Sequence, residues 1–229
     1  MLKYEKETVK PMLQWIDDIP RSAAMNMALD EVLFNRYDDK PTLRVYYWDS
    51  SYTTIGYFQK AKSVAEVEFV RRFTGGLTAN HHNDISYSFI VSLEFLDIYN
   101  QKKTYRNIHL VIQEVLRSFG VNSIILGDKM GNVNNMCVQT FYENDLISEG
   151  RKIVGSCSRK RGSKLMVQGA INVNLNCRSK KIFSHNFAKN LAELLKIEVK
   201  KENFIDNDIE SAKKIANEKY LSPRWNNMF

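Results

Sequence analysis

From Arg71 to His82 the chain reads RRFTGGLTANHH. Two arginines, a Thr74-Gly75-Gly76 turn and two histidines fall within one short stretch. Glycine lacks a Cβ and tolerates positive φ, so its backbone N–H groups can approach a ligand closely. Successive amides in such a turn can cradle an anion. Arginine adds a planar, permanently charged donor fork. Together these residues suit a bound anion. A glycine hairpin with surface arginines has the same composition, so both readings stay open on this stretch alone. The GxxxxGK[ST] and GxGxxG phosphate-loop patterns are absent.

The second candidate stretch is GRKIVGSCSRKRGSKLMVQGAINVN, from Gly150 to Asn174. Lys152 stands between a turn glycine and the apolar Ile153-Val154 pair, at the expected start of a strand. A lysine so placed stabilises charge on a phosphate or acyl oxygen as a point cation. A solvated surface lysine is the plainer reading. Gly155-Ser156 and Gly169 offer further close backbone approaches. Cys137, Cys157 and Cys177 are widely spaced, with no CxxC pair, and the four histidines form no ligand cluster. Structural zinc is not expected, and free thiols are.

The elements that must position these residues read as follows. RSAAMNMALDEVLFNRYDD, 21–39, has helical periodicity, with Met25, Ala28, Leu29, Leu33 and Phe34 on one face. PTLRVYYWD (41–49) alternates as a strand and SYTTIGYFQ continues it; ISYSFIVSL (85–93) is another strand. IHLVIQEVLRSFG (108–120) reads as an amphipathic helix ending at a glycine cap. Short strands follow in VNNMCVQTF, NDLISEG, RKIVGSCSRK and KLMVQGAINVNL, then helices around SHNFAKNLAELLKI and NDIESAKKIANEK. His109 and His185 fall on helical stretches and are expected at the surface or as caps. Trp225 is expected to pin the C-terminus to the core. Strands and helices do not alternate regularly, which predicts an α+β fold with a mostly antiparallel mixed sheet flanked by helices.

The 229 residues, with 44% apolar side chains, suffice for one domain, 1–229, without a linker rich in Pro, Gly or Ser. No apolar run approaches the roughly 18 residues of a membrane span. The charged N-terminus has no signal core, so a cytoplasmic location is expected. The net charge of +7 suits acidic protein partners or phosphate-bearing ligands. No zinc-finger spacing or recognition-helix pattern supports a nucleic-acid partner.

RRFTGG with His81 and DISYS resembles the RRxTGGG…H…DLxYS motif of the lipoate-protein ligase and octanoyltransferase family. NDLISEGRKIVGS resembles its lysine motif, NDLxxxGxKIxGSA. NMALDEVL, LRVYYWDSSYTTIGYFQ and EKYLSPRWN resemble its first helix, strand pair and closing stretch. The resemblance implies a biotin/lipoate-ligase-like fold and attachment of lipoate or octanoate to a lysine of a lipoyl carrier domain. In the ligases, ATP (with Mg²⁺) first makes lipoyl-adenylate. On that pattern Arg71, Arg72, Thr74, Gly75 and Gly76 line the acyl and phosphate pocket, with Gly155, Ser156 and Gly169 as close backbone contacts of the substrate or adenylate. Lys152 stabilises charge, Asn144 and Asp145 bind nucleotide or, through Asp145, its metal, and His81 shapes the pocket.

Several departures stand out. Leu77 replaces the third glycine, Gln168 replaces a histidine, and the stretch from Gln59 to Arg71 is short. They leave a degenerate acyl or adenylate binder open. The chain ends soon after the WN stretch, without the accessory domain of large bacterial ligases, which leaves a separate accessory subunit open as a partner. The family's other reaction moves octanoyl from acyl carrier protein through a cysteine thioester, without ATP. Cys137 lies thirteen residues before Gly150, which fits that branch, as do HHNDISYS and Trp48. A nearby cation would favour its thiolate, while a small buried apolar side chain is the plainer reading. NDLISEGRK fits the ligase better. Cys157, in place of a small alanine, reads as structural, and Cys177 lies too close to Lys152 for a second thioester branch. ATP-dependent ligation is the first expectation and transfer through Cys137 the second.

Overall fold

The computed structural model describes residues 12–64, 67–96, 101–127 and 141–229. Cys137 and most of the expected VNNMCVQTF strand lie outside the described residues. The strands are β1 (Met12–Arg21), β2 (Thr42–Trp48), β3 (Tyr52–Ile55), β4 (Phe69–Arg71), β5 (Ala79–His81) and β6 (Ile85–Ser92). After them come β7 (Ile124–Ile125), β8 (Leu146–Ser148), β9 (Arg151–Arg161), β10 (Lys164–Ile171) and β11 (Glu198–Lys201). The helices are α1 (Ala23–Asn35), α2 (Gln101–Arg117), α3 (Cys177–Leu194), α4 (Asp206–Ile215) and the short α5 (Pro223–Asn226).

Eight strands form one sheet in the order β11-β1-β2-β6-β10-β9-β8-β7. Its β11–β1 and β1–β2 pairs are parallel and the other pairs antiparallel. A small sheet, β4-β3-β5, carries the glycine loop between β4 and β5. The α+β expectation with a mostly antiparallel mixed sheet matches this architecture. The MLQWIDDIPR stretch forms β1, an element that the sequence reading above does not mark. It holds its place by pairing on both sides, with β2 and β11.

Strand alternation sends side chains to two cores. Leu43, Val45, Tyr87, Phe89, Leu165 and Val167 pack with Ile108, Ile112 and Leu116 of α2 and Phe183 and Phe187 of α3. On the other face Tyr46 and Trp48 pack with α1, whose N-terminus is capped by the Ser22 hydroxyl at Met25 N–H. Beneath α1 lies buried Arg44, which donates to Asp18, to Asp30 at 2.6 Å and to Asn26. These charges are tolerated because each has an opposite partner within hydrogen-bond reach. α2 begins seven residues before the stretch expected from periodicity. SYTTIGYFQ is strand only to Ile55, because Gly56 packs against the glycine loop.

Candidate active site

The site is built where β9 and β10 of the large sheet meet the glycine loop of the small one. A cavity of about 900 Å³ opens there. Its lining joins Arg72, Gly75, Gly76 and His81 from the loop and β5 with Asn144, Asp145, Lys152, Gly155, Ser156 and Gly169. Two sequence stretches that are distant along the chain thus share one hollow.

Glycine makes the junction sterically feasible. A Cβ on Gly56 would collide with the Gly76 carbonyl, so the loop can fold over β3 only with glycine there. Gly76 itself has φ +89°, the left-handed region glycine favours. Leu77 sits after the bend and does not need the left-handed backbone that Gly76 adopts. Its carbonyl accepts from Arg72 Nη2 at 2.7 Å, as does that of Gly75 at 3.1 Å. Arg72 Nη1 donates to Thr54 Oγ1 at 2.8 Å, and its buried Nε has no hydrogen-bond partner among the described residues.

Arg71 points elsewhere. It is fully buried, and its guanidinium donates to the carbonyls of Gly56, Tyr57, Gln59, Trp225 and Asn226. It does not line the cavity. The expected second ligand arginine is instead a clamp on the C-terminal segment. Trp225 completes the clamp by donating to the Arg71 carbonyl at 2.9 Å.

Thr74 is buried behind the lining and donates to Gln168 Oε1 at 2.5 Å, with Cys157 Sγ 3.0 Å away. Gln168, which stands where the family motif has histidine, donates in turn to Asp30 Oδ2 at 2.6 Å. The glutamine therefore ties the loop to α1. His81 is held between Thr54 Oγ1 and Asp84 Oδ2, each at 2.9 Å, and stacks on Trp48 with ring centroids 3.9 Å apart.

At the opposite wall Lys152 Nζ lies 2.6 Å from Asp145 Oδ2. Its side chain folds across Gly155, where any Cβ would meet Nζ at 2.7 Å. The Tyr142 N–H also donates to Asp145. Burial pushes the Asp145 carboxyl above its ordinary range, against the pull of Lys152. Asp145, the expected metal ligand, is thus paired with an ammonium. Among the described residues no group of three His, Cys, Asp or Glu side chains is placed to hold a metal ion. The described donor set does not make a protein-only magnesium site.

One lining residue corrects the sequence reading. His109 is 1% exposed and lines the cavity, not the surface. Nδ1 lies 2.5 Å from the Asn144 carbonyl and Nε2 2.6 Å from Ser156 Oγ. Burial lowers its pKa to about 4, with Lys152 adding to the effect against the Asn144 hydrogen bond. The available signal was its position between Ile108 and Ile112, on the buried stripe of α2. His185, on α3, is exposed as expected.

The family model described as the lipoyl protein ligase A/B catalytic domain matches residues 22–217. The octanoyltransferase LipM of Halalkalibacterium halodurans is 31% identical over 183 residues, covering 71% of this chain and 66% of that protein. The chain therefore spans just under two thirds of that relative. The octanoyltransferase LipM of Clostridioides difficile is 27% identical over 217 residues, covering 86% of this chain and 80% of its own. A solved structure of a bi-partite lipoate protein ligase, studied with its E2 lipoyl domain, from Thermoplasma acidophilum has a TM-score of 0.72 at 18% identity. It covers 96% of this chain and 98% of that one, and shows a shared fold.

Proposed function

This chain belongs to the lipoyl protein ligase A/B catalytic domain family, and from that premise we propose that it transfers octanoyl from acyl carrier protein to a lysine of a lipoyl domain. The observation that carries the reading is Lys152, folded over Gly155 in the cavity that the glycine loop closes. Acyl transfer needs a carbonyl held beside its nucleophile and fixed donors for the charge that develops on oxygen. Lys152 supplies such a donor. Met27, Tyr46 and Trp48 supply apolar wall for an acyl chain.

Relatedness to proteins named octanoyltransferase favours transfer over ATP-dependent ligation, which reverses the order expected from NDLISEGRK. The proposed acyl carrier is Cys137. Its thiolate attacks the octanoyl thioester, a new C–S bond forms, and the carrier protein's thiol departs. The lipoyl-domain amine then attacks that carbonyl, forming the amide and releasing Cys137. The net charge of +7 would aid encounter with acidic carrier proteins.

ATP-dependent ligation, with an accessory subunit, is the contrasting outcome. Arg72, which lines the cavity, would supply positive charge for a nucleotide phosphate, and the ATP would bring magnesium with its own phosphates.

The intact mass of an apo lipoyl domain tests the reading. With octanoyl-acyl carrier protein and no ATP, the domain gains an octanoyl group, and Cys137→Ala abolishes the gain. A gain only with lipoate, ATP and Mg²⁺ would establish the ligase instead. Binding of octanoate without a gain under either condition, with or without an accessory subunit, would identify a non-catalytic binder.

A further inference from the structure

Beside Lys152 runs a polar chain that the reading above does not use. Tyr87 on β6 reaches Ser156 Oγ on β9 at 2.6 Å, and His109 Nε2 on α2 reaches the same oxygen at 2.6 Å. The glycine at 169 makes this possible. A Cβ there would stand 2.6 Å from Tyr87 Cζ and 2.7 Å from its hydroxyl oxygen.

The direction of each hydrogen bond follows from chemistry. A carbonyl only accepts, so His109 Nδ1 carries a proton and donates to Asn144 at 2.5 Å. The buried ring is neutral at ordinary pH, so Nε2 is an acceptor. The Ser156 hydroxyl must then donate to His109. Tyr87, whose phenol burial keeps protonated, donates to Ser156. The serine proton is thereby committed, and what Ser156 has left is a lone pair. Ser156 lines the cavity next to Gly155, over which Lys152 lies.

We propose that Ser156, locked as an acceptor by His109 and Tyr87, receives an N–H of the incoming lysine amine and aims that amine at the acyl carbon. Lys152 is a donor for the carbonyl oxygen; Ser156 is the complementary acceptor for the nucleophile. The N–C bond forms as the C–S bond breaks, and the surplus amine proton ends on the departing thiolate. Ser156 keeps its own proton throughout. His109 and Tyr87 are positioning residues. The inference rests on the acyl-transfer reading.

A single-turnover experiment separates the two. The full chain is loaded with octanoyl from octanoyl-acyl carrier protein, then mixed with apo lipoyl domain, and both masses are followed. Ser156→Ala should slow delivery to the domain by about tenfold or more and slow loading by a clearly smaller factor. His109→Phe, with folding checked by thermal unfolding, should slow the same step, and Ser156→Thr, which keeps the hydroxyl, should deliver faster than Ser156→Ala. Equal slowing of loading and delivery, or no slowing of either, overturns the inference. So does an octanoyl ester found on Ser156. If the unaltered chain neither loads nor delivers octanoyl, the acyl-transfer reading itself fails and the inference falls with it.

Discussion

Lys152 and His109 show how the same cavity treats two ionisable side chains. Lys152 keeps a quarter of its side chain exposed and leans on Asp145. Lys152→Ala should lower the rate of octanoyl delivery by roughly two orders of magnitude, the usual loss when one donor to a developing oxyanion is removed. Initial rates of lipoyl-domain mass gain would measure it. His109 is buried and neutral, with a folded pKa of about 4 against an ordinary 6.5. The unfolded chain therefore binds the extra proton more readily. Its contribution to stability is complete above pH 6.5 and is lost as pH falls toward 4. The loss amounts to roughly 3 kcal/mol at most. Urea midpoints across that window should fall more steeply for the unaltered chain than for His109→Gln. Parallel slopes would contradict the assignment.

At the scale of elements, the loop between β4 and β5 discriminates between its two adjacent glycines. A Cβ on Gly75 meets nothing within 4 Å, whereas Gly76 has φ +89° and would meet Arg72 and Cys157 at 3.1 Å. Gly75→Ala should leave stability within about 0.5 kcal/mol, and Gly76→Ala should cost about 1–3 kcal/mol. Thermal unfolding of the two variants would show the contrast. The β6-β10-β9 strands set Tyr87, Gly169 and Ser156 opposite one another in register. Ser88, Gln168 and Cys157 form the next row. That row faces α1, which explains why Gln168 meets Asp30, and why the Thr74 loop is anchored through a helix remote from it in sequence.

Across the whole molecule, Arg71 joins the small sheet to the end of the chain. Its guanidinium satisfies buried carbonyls on both sides. Arg71→Met should cost at least about 3 kcal/mol, seen as a lowered denaturant midpoint. Arg72→Met should weaken acyl loading and also loosen the glycine loop, because Arg72 lines the cavity and donates to the Gly75 and Leu77 carbonyls.

Much of this arrangement is local enough to be legible in the chain. The alternation of LRVYYW, the stripe of α2 and the glycine turns specify their elements because period and φ are short-range properties. The family motifs likewise single out Lys152, His81 and Gly76, all of which line the cavity. Nothing local separates Arg71 from Arg72. Adjacent residues on a strand point to opposite faces, and which face meets the cavity depends on how the small sheet docks. Nor does the helix containing His109 announce that its buried stripe ends against Ser156. Strand β1 is marked only by its partners β2 and β11. The residue types thus carry the available chemistry. Long-range packing chooses which donors are spent on the fold and which are left for a substrate, because burial and hydrogen-bond partners come from segments far apart in the chain.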